Sequence, residues 1–199
     1  MKKIVILTFT LVLMVNLAAY GEVKTKKEVE AVLTNYSISI VFNAQGQDIY
    51  NFRQVSSDKG TFFEVIRGSR SHKIEYYDFA GMRGYDLDVN EKYGESMRLR
   101  SAERYKGFMP YMANHLFMHE SYKNDIVKTG SEKILGRETA VYTIAFQNAE
   151  MKLWIDNEYG FTFKYEQTGR NNMTMEVTEL KVGGVTIEGL INLNDYKID

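Results

Sequence analysis

Between residues 37 and 89, five short runs alternate in side-chain character and are separated by only two to five residues of turn material. The runs are 37–42, 48–55, 61–67, 73–79 and 82–89, each rich in β-branched and aromatic residues. Period-two alternation predicts strands. Parallel neighbours need a crossover of about a dozen residues or more, so connections this short allow only an antiparallel meander. A second set follows at 138–146, 150–156, 161–167 and 173–182, with 186–193 as a possible last strand. Asn157-Glu158-Tyr159-Gly160 and Gly169-Arg170-Asn171-Asn172 supply its turns.

Two helical patterns break this rhythm. Thr25 and Glu28 fit a capping box, and Val29, Val32, Leu33 and Tyr36 follow on one face. The second helix is expected over 104–120, with Met109, Met112, Ala113, Leu116 and Phe117 on its apolar face. Pro110 is acceptable only in a first turn, which puts the helix start near Met109. The expected fold class is therefore α+β, mainly β with two or more helices. A sheet of nine or ten strands curls, so the expected shape is a strongly curved antiparallel sheet, or half-open barrel, with helices on its concave side.

The N-terminus has the order of a secretory signal peptide. Lys2 and Lys3 precede an apolar run over 4–15, and Ala18, Ala19 and Gly21 supply small residues before a cut. Cleavage after Gly21 is expected, with cleavage after Ala19 as the alternative. A retained anchor is the competing reading, but the apolar run is shorter than the roughly 20 residues of a spanning helix. The remaining domain, 22–199, keeps 23 basic and 26 acidic residues and has no cysteine. With no thiol there is no disulfide, lipidated cysteine or thiolate chemistry. Its near-neutral, unclustered charge excludes a nucleic-acid partner.

No catalytic motif is present, and no enzyme or cofactor is expected. His115 and His119 stand four apart, but Glu120 follows the second histidine, so this is not the metalloprotease pattern. Met109, Met112, His115 and His119 could suit copper(I), against the simpler reading that the methionines are core filler. Aromatic residues are more telling, with 14 Tyr and 11 Phe. If the sheet's hollow exceeds what two small helices fill, its apolar lining accepts an acyl chain or similar ligand. The candidate ligand-binding residues are Met109, Met112, Leu116, Phe117, Trp154, Phe161 and Phe163.

The order of parts, with Gly136-Arg137-Glu138-Thr139-Ala140-Val141-Tyr142 and then Leu153-Trp154-Ile155-Asp156-Asn157-Glu158-Tyr159-Gly160, resembles the LolA-like superfamily of periplasmic lipoprotein carriers and sorting-type proteins. Periplasmic regulators of envelope-stress anti-sigma factors share that architecture. The resemblance implies an open barrel closed by helices, a lipid or acyl-chain partner, a periplasmic location and a link to outer-membrane lipoprotein sorting. It also implies an arginine on an early strand that holds the closing helices, for which Arg53 is the nearest equivalent. An envelope sensor that binds a protein or lipoprotein partner with the same fold is the alternative.

Overall fold

The structure, a computed structural model, describes residues 35–105, 126–146, 149–160, 162–169 and 172–199. The expected signal peptide, nearly all of the first helix, the second helix from Lys106 onward and Phe161 lie outside these residues.

The described chain forms one sheet. Its strands are β1 (Tyr36–Ala44), β2 (Tyr50–Ser57), β3 (Gly60–Arg67), β4 (Ser71–Asp78), β5 (Arg83–Asp88) and β6 (Tyr93–Arg98), then β7 (Ile126–Ile134), β8 (Arg137–Phe146), β9 (Ala149–Asp156), β10 (Thr162–Gly169), β11 (Met173–Val182) and β12 (Lys197–Ile198). The spatial order is β12-β6-β5-β4-β3-β2-β1-β11-β10-β9-β8-β7. Two meanders, β1–β6 and β7–β11, thus meet where β1 pairs antiparallel with β11. The other pairings are also antiparallel, except that β12 runs parallel to β6. At the β1–β11 junction the register shifts after Ser39, and the Thr178 hydroxyl donates to the Ser39 carbonyl at 3.3 Å.

The α+β expectation is corrected. Among the described residues there is no α-helix, only short 3-10 turns at Ala102–Tyr105 and Leu193–Asp195, and the sheet is open with β12 and β7 at its edges. Arg104 and Tyr105, which lie in the expected 104–120 span but ahead of the helix start near Met109, stand in the first of these turns. Tyr36, expected on the apolar face of the first helix, instead opens β1 and is completely buried. Its i+7 relation to Val29 fits a helix, but Tyr36, Ile38 and Ile40 also alternate, and pairing on both sides decides for the strand.

Cross-strand partners share a face, so register sorts the core into two layers. On one face lie Tyr36, Ile38, Ile40 and Val177, clustered with Phe163 and Tyr159. The same face continues through Ala140, Tyr142, Ile144, Met151, Leu153 and Tyr165. We call this the Ile38 face. The opposite, Leu87 face holds Val55, Phe62, Ile74 and Leu87.

The segment after β11, expected as a strand over 186–193, covers the Leu87 face instead. Gly183, Gly184 and Gly189 take left-handed backbone angles (φ 78°, 61° and 76°) that interrupt an extended run. Between and beyond them Val185, Ile187, Leu190, Ile191, Leu193 and Tyr196 pack onto Val55, Phe62, Ile74 and Leu87. Asn35 ties the segment back: its side-chain nitrogen donates to the Val185 carbonyl at 3.2 Å, and its oxygen accepts from the Val185 amide at 2.9 Å.

Gly60 shows how closely this cover sits. A Cβ there would lie 2.2 Å from the Tyr77 carbonyl oxygen and 2.4 Å from Ile187 Cδ1. Gly60→Ala must therefore part β3 from β4 or lift the covering segment, and should destabilise by about 1–3 kcal/mol. A fall in the urea midpoint with unchanged slope checks it. An unaltered midpoint would show that the packing around Gly60 is looser than described.

Candidate functional site

The Ile38 face is not uniformly sealed. Near the β1–β2 turn it carries a row of half-buried rings: Phe42 on β1, Tyr50 and Phe52 on β2, and Phe63 on β3. Register builds the row. Phe42 pairs with Tyr50, and Phe52 lies between Ile40 and Val65. Ring centroids are 6.2 Å apart for Phe42–Tyr50, 5.9 Å for Tyr50–Phe52 and 6.2 Å for Phe52–Phe63. The last two pairs are stacked, at interplanar angles of 7° and 17°. Such spacings are within the favourable range for aromatic pairs. Met173 and Met175, also half-buried, continue the surface onto β11, where Met175 pairs with Phe42.

One end of the row is charged. The Arg67 guanidinium lies 5.2 Å from the Tyr50 ring centroid, in cation–π range. Asp48 holds both Arg67, at 3.2 Å, and Arg70, at 2.6 Å. The Arg70 hydrogen bond, above all, keeps the Asp48 carboxyl below the ordinary aspartate range. At the other end the face turns polar, with buried Gln54, Ser56 and Thr61. Beyond them the Tyr77 hydroxyl donates to Glu75, and burial with that bond pushes the Tyr77 phenol well above its usual range. The Tyr77 ring also sits 4.3 Å from that of Tyr105.

The residues singled out from sequence are distributed differently. Phe163 belongs to the Ile38 face, is completely buried, and shares its cluster with Phe52 and Phe63. Trp154 lies on the opposite face. There its indole N–H donates to Glu132 at 2.6 Å and the Lys164 ammonium sits 4.6 Å from its ring centroid. Trp154 and Phe163 are therefore not brought together. Met109, Met112, Leu116, Phe117, Phe161, His115 and His119 lie outside the described residues. Arg53 is exposed on the Leu87 face, 5.9 Å over the Phe62 ring, and so points away from the aromatic row.

Phe42, Tyr50, Phe52 and Phe63 were not singled out by sequence reasoning. Their alternation showed strands, but adjacency across three strands depends on how the 45–49 and 58–59 turns set register.

The motif residues around Arg137 have a structural role. The Asp156 carboxylate, which is buried, accepts from Arg137 Nε at 2.9 Å and from the backbone amides of Glu158 at 3.1 Å and Tyr159 at 2.5 Å. Arg137 also pairs with Glu158 and covers the Tyr159 ring at 4.3 Å. These contacts fix the β9–β10 turn and set Tyr159 into the Ile38-face core.

No protein-family model matches the sequence, and no curated protein matches it. Among solved structures, the chain is similar to a chain of the Pseudomonas aeruginosa MucA/MucB complex, at 14% identity over 81% of this chain and a TM-score of 0.47. It spans little more than half of that chain, 56%. It is similar to the Mycobacterium tuberculosis lipoprotein LppX at 10% identity, covering 85% of this chain and 97% of LppX with a TM-score of 0.46. A Vibrio parahaemolyticus domain assigned to outer membrane lipoprotein sorting is 13% identical, covering 84% of this chain and 94% of that one at a TM-score of 0.34.

Proposed function

We propose that the chain is exported to the cell envelope and acts there as a non-enzymatic binding or carrier protein for a lipid or other hydrophobic ligand, with a link to lipoprotein sorting. The observation that carries this reading is the half-buried row Phe42–Tyr50–Phe52–Phe63, continued by Met173 and Met175. A contiguous, partly open apolar strip is what an extended hydrocarbon chain would lie on. Stacked rings give it shape, and unbranched methionine adapts to what it meets. Phe163 is completely buried in the core cluster against which Phe52 and Phe63 pack, and adds no exposed surface to the row.

The test is to purify the protein under mild conditions, identify co-purified lipid by native mass spectrometry, and titrate a hydrophobic fluorescent dye. Bound lipid or saturable dye binding is expected, with affinity lowered about tenfold by Phe52→Ser, because one large ring contributes about 1.5–3 kcal/mol of burial. Absence of both lipid and dye binding would overturn the reading. Dye binding that Phe52→Ser leaves unchanged would remove the aromatic row from it. The alternative occupant is a protein partner, and a dye displaced by an envelope protein but carrying no lipid beforehand would favour it.

A further inference from the structure

We infer that the end of the sheet at β5 and β6 holds an oxyanion, a phosphate or carboxylate group, between Arg83, Arg98 and Arg100. The inference starts from how this chain treats its arginines. Arg67 and Arg70 bind Asp48, Arg137 binds Asp156 and Glu158, and Arg53 lies over Phe62. Among the described residues Arg83, Arg98 and Arg100 have no ion-pair, hydrogen-bond or ring partner, and all three are exposed. The unpartnered guanidinium groups are thus gathered at one place.

Their arrangement is also unfavourable as it stands. Arg83 and Arg98 are direct cross-strand partners on the Leu87 face, and like charges so placed repel. Two carboxylates are near, and one oxygen of each is held by another donor. Asp78, the partner of Arg83 on β4, accepts from the Ala80 amide at 3.0 Å. Asp199 accepts from the Tyr93 hydroxyl at 3.1 Å.

The place is concave. A depression of about 430 Å³ is lined by Gly81, Met82, Arg83, Ser96, Met97 and Arg98. A second, of about 580 Å³, shares Met82 and Arg98 and adds Leu99 and Arg100. The backbone there is pinned rather than loose. The Leu99 amide donates to the Met82 carbonyl at 2.9 Å, and Phe79 N to Lys59 O at 3.0 Å. Guanidinium forks present paired N–H donors that match a tetrahedral or planar oxyanion. Met97, 45% exposed, pairs with Gly84 and points to the opposite face from the two arginines. The forks can take a free oxyanion or the phosphate of a larger molecule, since both present the same acceptor oxygens.

The site stands apart from the aromatic row and does not require it. Titration calorimetry of the purified protein would use inorganic phosphate, dodecyl phosphate and, as the uncharged control, dodecyl maltoside. Dodecyl phosphate should bind, and Arg83→Ala/Arg98→Ala should weaken it about tenfold or more, because two charge-assisted bonds are lost. Arginine-dependent binding of inorganic phosphate as well would identify a free-oxyanion site. Binding of dodecyl phosphate alone would identify a head-group site. Arg98→Glu, which places opposite charges across the strands, should raise Tm without phosphate and abolish the rise that phosphate gives the parent protein. Equal affinity of the double variant and the parent for both phosphates, or binding of neither, would overturn the inference. Failure of the dye titration with an intact phosphate response would remove the hydrophobic-ligand reading alone.

Discussion

Asp156→Ala should destabilise the protein by about 3–5 kcal/mol, the range found when one partner of a buried ion pair is removed. The carboxylate is 1% exposed and satisfies three donors: Arg137 Nε and the amides of Glu158 and Tyr159. Deleting it strands those amides and leaves Arg137 with Glu158 as its remaining carboxylate. The loss would spread, because the same turn seats Tyr159 against Ile38, Ile40 and Phe163. Asp156→Asn keeps an acceptor for the amides and should recover part of the loss. Urea denaturation of the three proteins measures it. Equal midpoints for the parent and the alanine variant would mean that the turn holds without its carboxylate.

Phe163→Ala should have a similar effect, about 3–5 kcal/mol, from lost burial and the cavity left behind. Phe163 is 0% exposed and sits among Tyr36, Ile38, Ile40 and Val177, with Phe52 and Phe63 alongside. Phe163→Leu should lose well under half as much. The position also links stability to binding. A dry cavity opened under the aromatic row can accept a small apolar molecule, so a saturating hydrophobic dye should raise the variant's Tm by more than the parent's. A smaller rise would separate Phe163 from the binding surface.

What could be read from sequence follows from which signals are local. β1 to β5 and β8 to β11 were legible because their side chains alternate against a buried face. β6 and β7 were not. β7 reads Ile-Val-Lys-Thr-Gly-Ser-Glu-Lys-Ile and is mostly exposed at the sheet's edge, so backbone pairing with β8 defines it, with a register shift at Gly130. Lysines and a bulge are common on edge strands, where they discourage pairing with other chains. β6 is exposed from Glu95 to Arg98, and its apolar pattern is correspondingly weak. Residues 186–193 misled for the opposite reason: their apolar residues do bury, but as a turning cover rather than a strand.

The candidate site was less legible than the fold. The alternation of Phe163 within one strand marked it as inward-facing, whereas the rings of Phe42, Tyr50, Phe52 and Phe63 meet only through pairings that no single strand displays. Trp154 and Leu153 are strand neighbours and so face opposite sides of the sheet, which puts Trp154 away from the Ile38 face. Arg83 and Arg98 are separated by one strand-turn-strand unit, and nothing local marks them as neighbours.

The junction between β1 and β11 has a consequence for how the molecule comes into being. It joins residues such as Ser39 and Thr178, 139 positions apart, while every other antiparallel pairing closes a short hairpin. Each meander can assemble from neighbours in the chain, but the seam that unites them waits on one long closure, the kind of contact that slows folding. Until residues 173–182 arrive, β1 has an open backbone edge and the row at Phe42 lacks its Met175 neighbour. The surface proposed to hold a ligand is therefore completed only when the two halves join.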